Sequence, residues 1–117
     1  MKYLKFSVFN FFILIIAANI SAQQKEACYQ HFKEAENVYR IVENKTVNIY
    51  LVEGKDSALV IDTGYGTGDL LKYIKTLTNL PLIVLNTHGH GDHCLGNGQF
   101  LKIYAHTKDF QMIENSL

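Results

Sequence analysis

Within six residues, His88-Gly89-His90-Gly91-Asp92-His93, the chain gathers three imidazoles and one carboxylate. These are nitrogen and oxygen donors that zinc accepts. Side-chain packing gives no reason for three histidines and an aspartate in so short a run. Gly89 and Gly91 matter as much as the donors: lacking side chains, they let the loop take unusual backbone angles and let a metal approach the main chain. In a tight loop alternate positions converge, so His88 and His90 can share one metal while Asp92 and His93 reach a second close by. Two neighbouring cations would share a bridging water and lower its pKa toward neutrality, supplying hydroxide as a nucleophile. They would also polarise a carbonyl or phosphoryl oxygen, and Asp92 is placed to accept a hydrogen bond from the hydroxide and aim it. Zinc is the first expectation; iron or manganese occupies similar nitrogen and oxygen sites.

Such a loop needs firm elements on either side. Ala58-Leu59-Val60-Ile61 is apolar without alternation, the pattern of a strand buried on both faces. It runs into Asp62–Gly68, a loop with three glycines. From Asp69 to Leu77 the residues Leu70, Leu71, Ile74 and Leu77 mark one helical face, with Lys72 and Lys75 outside. Asp69 suits the positive end of the helix dipole. After Pro81, Leu82-Ile83-Val84-Leu85 reads as another apolar strand, which delivers the chain to the histidine loop. Upstream, Val38–Val42 and Thr46–Val52 are rich in β-branched and aromatic residues and are separated by Asn44-Lys45. In the second, Val47, Ile49 and Leu51 share one face while Asn48 and Tyr50 share the other. Residues 25–36 are polar and weakly periodic, an irregular or partly helical lead-in. Leu101–Ala105 reads as a further strand and Lys108–Asn115 as a final helix with Thr107 as its cap. The result is an α/β arrangement with the histidine loop just past the carboxyl end of a buried strand, where α/β folds place their sites.

The run resembles the H-x-H-x-D-H signature of the metallo-β-lactamase superfamily. Leu59-Val60-Ile61-Asp62-Thr63-Gly64 is similar to the strand and "DTG" segment that precedes that signature, Asn86-Thr87-His88 to its entry, and Leu95-Gly96-Asn97 to the segment after it. The similarity extends from about Val38 to Phe110. It implies an αββα sandwich of which this chain holds the first half. It also implies a zinc-dependent hydrolase of a small-molecule ester, thioester, lactone, amide or phosphoester. By the same resemblance His88 and His90 would bind the first zinc and Asp92 and His93 the second. Asp62 would support a ligand or organise its loop, against the plainer reading of a turn residue after a strand. Family members draw further ligands, two histidines and a bridging aspartate, from a C-terminal half. Only 24 residues follow His93 here, and their one histidine, His106, reads as a surface residue, as does His31. The expectation is therefore a partial domain over residues 23–117. A non-catalytic metal-binding fragment or an inactive gene remnant is the alternative. A half-sandwich would leave a sheet face and strand edges bare, which favours self-association.

Composition bounds the rest. A hydrophobic fraction of 48% suits a folded core. The balance of 11 basic and 11 acidic residues, with no basic stripe, argues against nucleic-acid binding. Residues 1–22 follow the order of an export signal: Lys2 and Lys5, an apolar run from Phe6 to Ala18, then Ser21-Ala22 before polar Gln23. The apolar run is too short for a bilayer span, so a periplasmic or secreted protein free of the membrane is expected after cleavage; an uncleaved anchor is the alternative. Cys28 and Cys94 could pair in an oxidising compartment or remain free thiols, with Cys94 a small packing residue. The ligand assignment predicts that His90→Ala abolishes zinc binding whereas His106→Ala leaves it intact. Equilibrium dialysis of both variants checks this, and equal losses would overturn the assignment.

Overall fold

The computed structural model describes residues 28–117, so the expected export signal over residues 1–22 lies outside the described residues. Six strands form one mixed sheet in sequence order: β1 Tyr29–Ala35, β2 Val38–Glu43, β3 Val47–Glu53, β4 Ala58–Ile61, β5 Leu82–Leu85 and β6 Ile103–Tyr104. The first four pair antiparallel, and β4, β5 and β6 run parallel. The change follows from the connections. Short turns allow β1 to β4 to reverse, whereas a helix, α1 (Leu70–Ile74), carries the chain from β4 back to the start of β5.

Strand β1 departs from the expected irregular or helical lead-in. Only Tyr29 of its seven residues is buried, so the strand carries almost no apolar alternation to read. It is held instead by pairing with β2 across the two-residue turn Glu36-Asn37, where Asn37 takes φ 62°. In β3 the expected alternation is present: Val47, Ile49 and Leu51 are buried, and Asn48 and Tyr50 are exposed. The α1 helix is shorter than the expected Asp69–Leu77 segment. Asp69 caps it by accepting from Lys72 N at 3.0 Å.

Ile41, Ile49, Leu51, Val60, Leu70 and Ile74 are fully enclosed between α1 and one face of the sheet. The opposite face is different. Register aligns Tyr50, Ile61, Leu85 and Tyr104 across four neighbouring strands, and Leu85 and Tyr104 are 36% and 46% exposed. Strands β4 and β5 therefore bury one face only, contrary to the two-faced burial expected of the 58–61 run. Their second faces stay uncovered among the described residues. β6 is also shorter than expected: it is an edge strand paired only to Val84 and Leu85, and Leu101 before it is fully exposed. The final helix, α3 (Phe110–Ser116), follows a single 3-10 turn at Thr107–Asp109. His106 caps that 3-10 turn, its Nδ1 accepting from Lys108 N at 3.2 Å, whereas α3 itself starts from Asp109 without a side-chain cap, so Thr107 caps neither.

The asymmetry of the sheet predicts two different costs. Ile49→Ala, which opens a cavity between sheet and helix, should destabilise the fold by about 2–5 kcal/mol. Ile83→Thr, on the bare face and still β-branched, should stay within about 0.5 kcal/mol. Denaturant midpoints of the two variants check this, and similar shifts would mean that the faces are misassigned.

Candidate metal centre

The site forms where β4 and β5 end side by side. Because these strands are parallel, the loops leaving their carboxyl ends emerge together, Asp62–Gly68 from one and Asn86–His93 from the other. The junction is fastened by Asp62. Its backbone N–H donates to Leu85 O at 2.8 Å, and its φ of 66° turns the carboxylate toward the histidine loop. Thr87 donates to that carboxylate twice, from its backbone N–H at 2.7 Å and from its hydroxyl at 2.8 Å. His93 Nδ1 lies 2.8 Å from Oδ2, the oxygen that also accepts the Thr87 hydroxyl. An ionised carboxylate only accepts, so the ring proton that faces Asp62 sits on Nδ1, and in the neutral ring Nε2 keeps its lone pair. The same reasoning reaches His88. Thr87 spends its hydroxyl proton on Asp62, so the 3.0 Å contact to His88 Nδ1 is a ring N–H donating to Thr87 Oγ1. His88 Nε2 is then also free to bind a cation.

The backbone around these side chains is pinned just as closely. A short helix, α2 (Gly91–Cys94), begins at His90, whose carbonyl accepts from His93 N at 2.9 Å. His93 O accepts from Thr63 N at 2.9 Å and from Asn86 Nδ2 at 3.0 Å. Asn97 joins this network by donating to Asn86 Oδ1 at 2.7 Å and accepting the Thr63 hydroxyl at 2.8 Å. Gly89 lies under α3, where an added Cβ would meet the Met112 side chain at 2.8 Å. Its N–H donates to Asp109 Oδ1 at 3.2 Å. Glycine is required here for close approach.

The loop thus brings the expected donors together. The rings of His88 and His93 lie 4.0 Å apart between centroids, and those of His88 and His90 lie 4.8 Å apart. His93 Nε2 stands 3.4 Å from Asp92 Oδ2. Two donors bonded at about 2.0–2.1 Å to a tetrahedral zinc lie about 3.3 Å from one another, so this pair fits a shared metal ion. No group of three or more His, Cys, Asp or Glu side chains forms a ready metal cage among the described residues. The donor set fits zinc in type and in the spacing of one pair.

His106 is exposed and caps the 3-10 turn that follows it, and His31, on β1, shares a 2.9 Å hydrogen bond with the Tyr73 hydroxyl of α1, so both lie outside the cluster. Both cysteines are free. Cys94 is buried, its thiol donating to Gly89 O at 3.4 Å, and burial pushes its pKa up. Sequence reasoning did not single out Asn86, Thr87 and Asn97 for these roles. Their only signal was position, each standing beside the quoted motif residues.

The pattern of the metallo-β-lactamase superfamily matches residues 43–108, more than half of the chain and all of this site. The chain belongs to that superfamily. Among curated proteins it is similar to the acyl-coenzyme A thioesterase MBLAC2 of Homo sapiens and of Bos taurus. Each is 30% identical over 95 residues, covering 67% of this chain and 34% of the relative. Among solved structures, a metallo-β-lactamase from Erythrobacter litoralis superposes with a TM-score of 0.64 at 17% identity, over 76% of this chain and 46% of that one. The mono-zinc form of FIM-1 from Pseudomonas aeruginosa gives 0.62 at 19% identity, over 75% and 46%. At these identities the structures show a shared fold, the first half of the sandwich. The chain spans about a third of the length of the curated relatives and just under half that of the solved ones.

Asp62→Asn tests how the site is set. The Asn oxygen would turn to the two Thr87 donors, leaving the amide NH2 against His93 Nδ1. That pushes the ring proton to Nε2 and removes the free lone pair. Zinc affinity should fall roughly 10–100-fold, the usual cost of losing a supporting partner of a metal-bound histidine. Competition with a chromophoric chelator measures the loss, and an unchanged affinity would show that Asp62 does not support His93.

Proposed function

We propose that this chain supplies one half of the active centre of an exported, zinc-dependent hydrolase that cleaves thioesters. The observation that carries the reading is the Asp62 carboxylate behind His93, which leaves the ring's Nε2 facing Asp92 at 3.4 Å. A carboxylate–histidine pair of this kind is the arrangement that orients a metal-binding imidazole. His88 and His90 would hold one zinc, Asp92 and His93 the other. Bound there, zinc would polarise the scissile carbonyl and acidify a water molecule.

The chain's own residues prepare that chemistry. Asp62 and Thr87 set the tautomers of His93 and His88, and Gly89 brings the loop against α3. Asp92, partly exposed beside His93, has a second carboxylate oxygen to accept a proton from the attacking water. Thioesters are favoured over other acyl substrates because two curated relatives are named acyl-coenzyme A thioesterases. Export rests on the order of residues 1–22. Four donors shared between two cations leave each metal with two protein ligands, fewer than the three or four that zinc sites use. Binding by this chain alone is therefore expected to be weak and turnover slow.

Thiol release from an acyl-coenzyme A, with and without added zinc, tests the reading. The expected result is slow, zinc-dependent cleavage that a chelator stops. Asp92→Asn should lower it by about 10²-fold or more, the usual contribution of a positioned proton acceptor. A rate indifferent to zinc and to Asp92 would remove the proposal, and two tightly held zincs with fast ester cleavage would show that these residues complete the site alone.

A further inference from the structure

Glu43, at the end of β2, is a fully buried carboxylate far in sequence from the histidine loop. No Lys, Arg or His pairs with it among the described residues. Burying such a group without compensation is costly. Its compensation comes from four hydrogen-bond donors. Tyr65 N reaches Oε2 at 2.6 Å; Thr67 N and the Thr67 hydroxyl reach Oε1 at 2.9 and 2.7 Å; and the Tyr29 hydroxyl lies at 3.5 Å.

Three of these donors belong to the loop that begins at Asp62. In it Asp62, Gly64 and Gly66 take φ of 66°, 69° and 69°, so alternate residues are left-handed. A backbone that alternates in this way points successive N–H groups into one concavity, a nest suited to an anion. Here the anion is a side chain of the same protein. Gly64 sits so close over it that an added Cβ would collide with Glu43 Oε2. On its other side the same loop is bonded to the metal-site segment: Thr63 N donates to His93 O at 2.9 Å and Gly96 N to Gly64 O at 3.2 Å.

We propose that Glu43 is a positioning residue for the candidate metal centre: its carboxylate fills the nest of the Asp62–Gly68 loop and thereby holds Asp62 and Thr63 behind His93. Its effect on metal rests on the hydrolase reading above; its effect on the loop does not.

Three variants of the full chain test this. Glu43→Gln keeps the shape but turns an NH2 group toward backbone donors. Glu43→Ala leaves an empty nest that formate can enter. Ile41→Val, a buried neighbour on β2, controls for loss of stability alone. Amide hydrogen exchange at Thr63, Tyr65 and Thr67 reads the loop, and cobalt(II) titration followed by visible absorption reads the metal site. In Glu43→Gln, exchange at these amides should accelerate, cobalt affinity should fall about tenfold, and the absorption band should change. Added formate should reverse both effects in Glu43→Ala, and Ile41→Val should show neither. Wild-type exchange and an unchanged cobalt spectrum in Glu43→Gln would overturn the proposal, as would a folded Glu43→Ala that formate does not restore. If the wild-type chain binds no cobalt, the metal reading fails by itself, and the exchange rates still decide whether Glu43 orders the loop.

Discussion

The short bridge from Asp62 to Thr87 and His93 fixes everything else about the site. A non-glycine residue in the left-handed region stores roughly 1–3 kcal/mol of strain, and such strain persists only where surrounding structure enforces it. Asp62, at φ 66°, is enforced on both sides: its N–H continues the β4–β5 ladder to Leu85 O, and its carboxylate takes both Thr87 donors. The strained turn lets one carboxylate reach across from the end of one parallel strand to the loop of the next. Without that reach, His93 would have no partner to choose between its two ring nitrogens.

The sheet serves this bridge. Parallel pairing of β4 with β5 puts the two loops side by side, and α1 makes that pairing feasible by returning the chain and sealing one face with Leu70 and Ile74. The other face contributes nothing to the site and is left apolar, with Tyr50, Ile61, Leu85 and Tyr104 in a row. Solved relatives of which the match covers 46% share the fold of this half, so the bare face lies where a two-sheet sandwich carries its interior. The apolar run at 58–61 reads as a strand buried on both faces, and 82–85 is as apolar; among the described residues each is covered on one face.

How much could be read in advance depended on whether a signal was local. The alternation in β3, the apolar strands and the donor cluster at 88–93 are carried by neighbouring residues, and each was readable. β1 was not, since a strand with one buried side chain exists only through its partner β2. His106 lies outside the histidine cluster, and its capping of the 3-10 turn was missed because the chain turns one residue earlier than Thr107. Asp62 could be read either as a turn residue or as a support for the site. It is a turn residue by backbone, and by side chain it holds the His93 ring, so the alternatives do not exclude one another. Glu43 gave no signal, because an acidic residue at a strand end looks like any solvated turn flank.

Glu43 and Asp62 lie on opposite sides of one glycine-rich loop and solve different problems. Glu43 meets only donors and gathers backbone N–H groups, which fixes where the loop runs. Asp62 meets a hydroxyl, an amide and an imidazole, which fixes how a ring is turned. A carboxylate suits both tasks because its two oxygens accept from several directions without offering a proton. The glycines between them let the backbone come near enough for both: Gly64 leaves room for Glu43, and Gly96 presses against Thr63 O where a Cβ could not fit. The order of the histidine loop is therefore set by two anions and the small residues that let them approach, which explains how a short, partly exposed stretch keeps three imidazoles together.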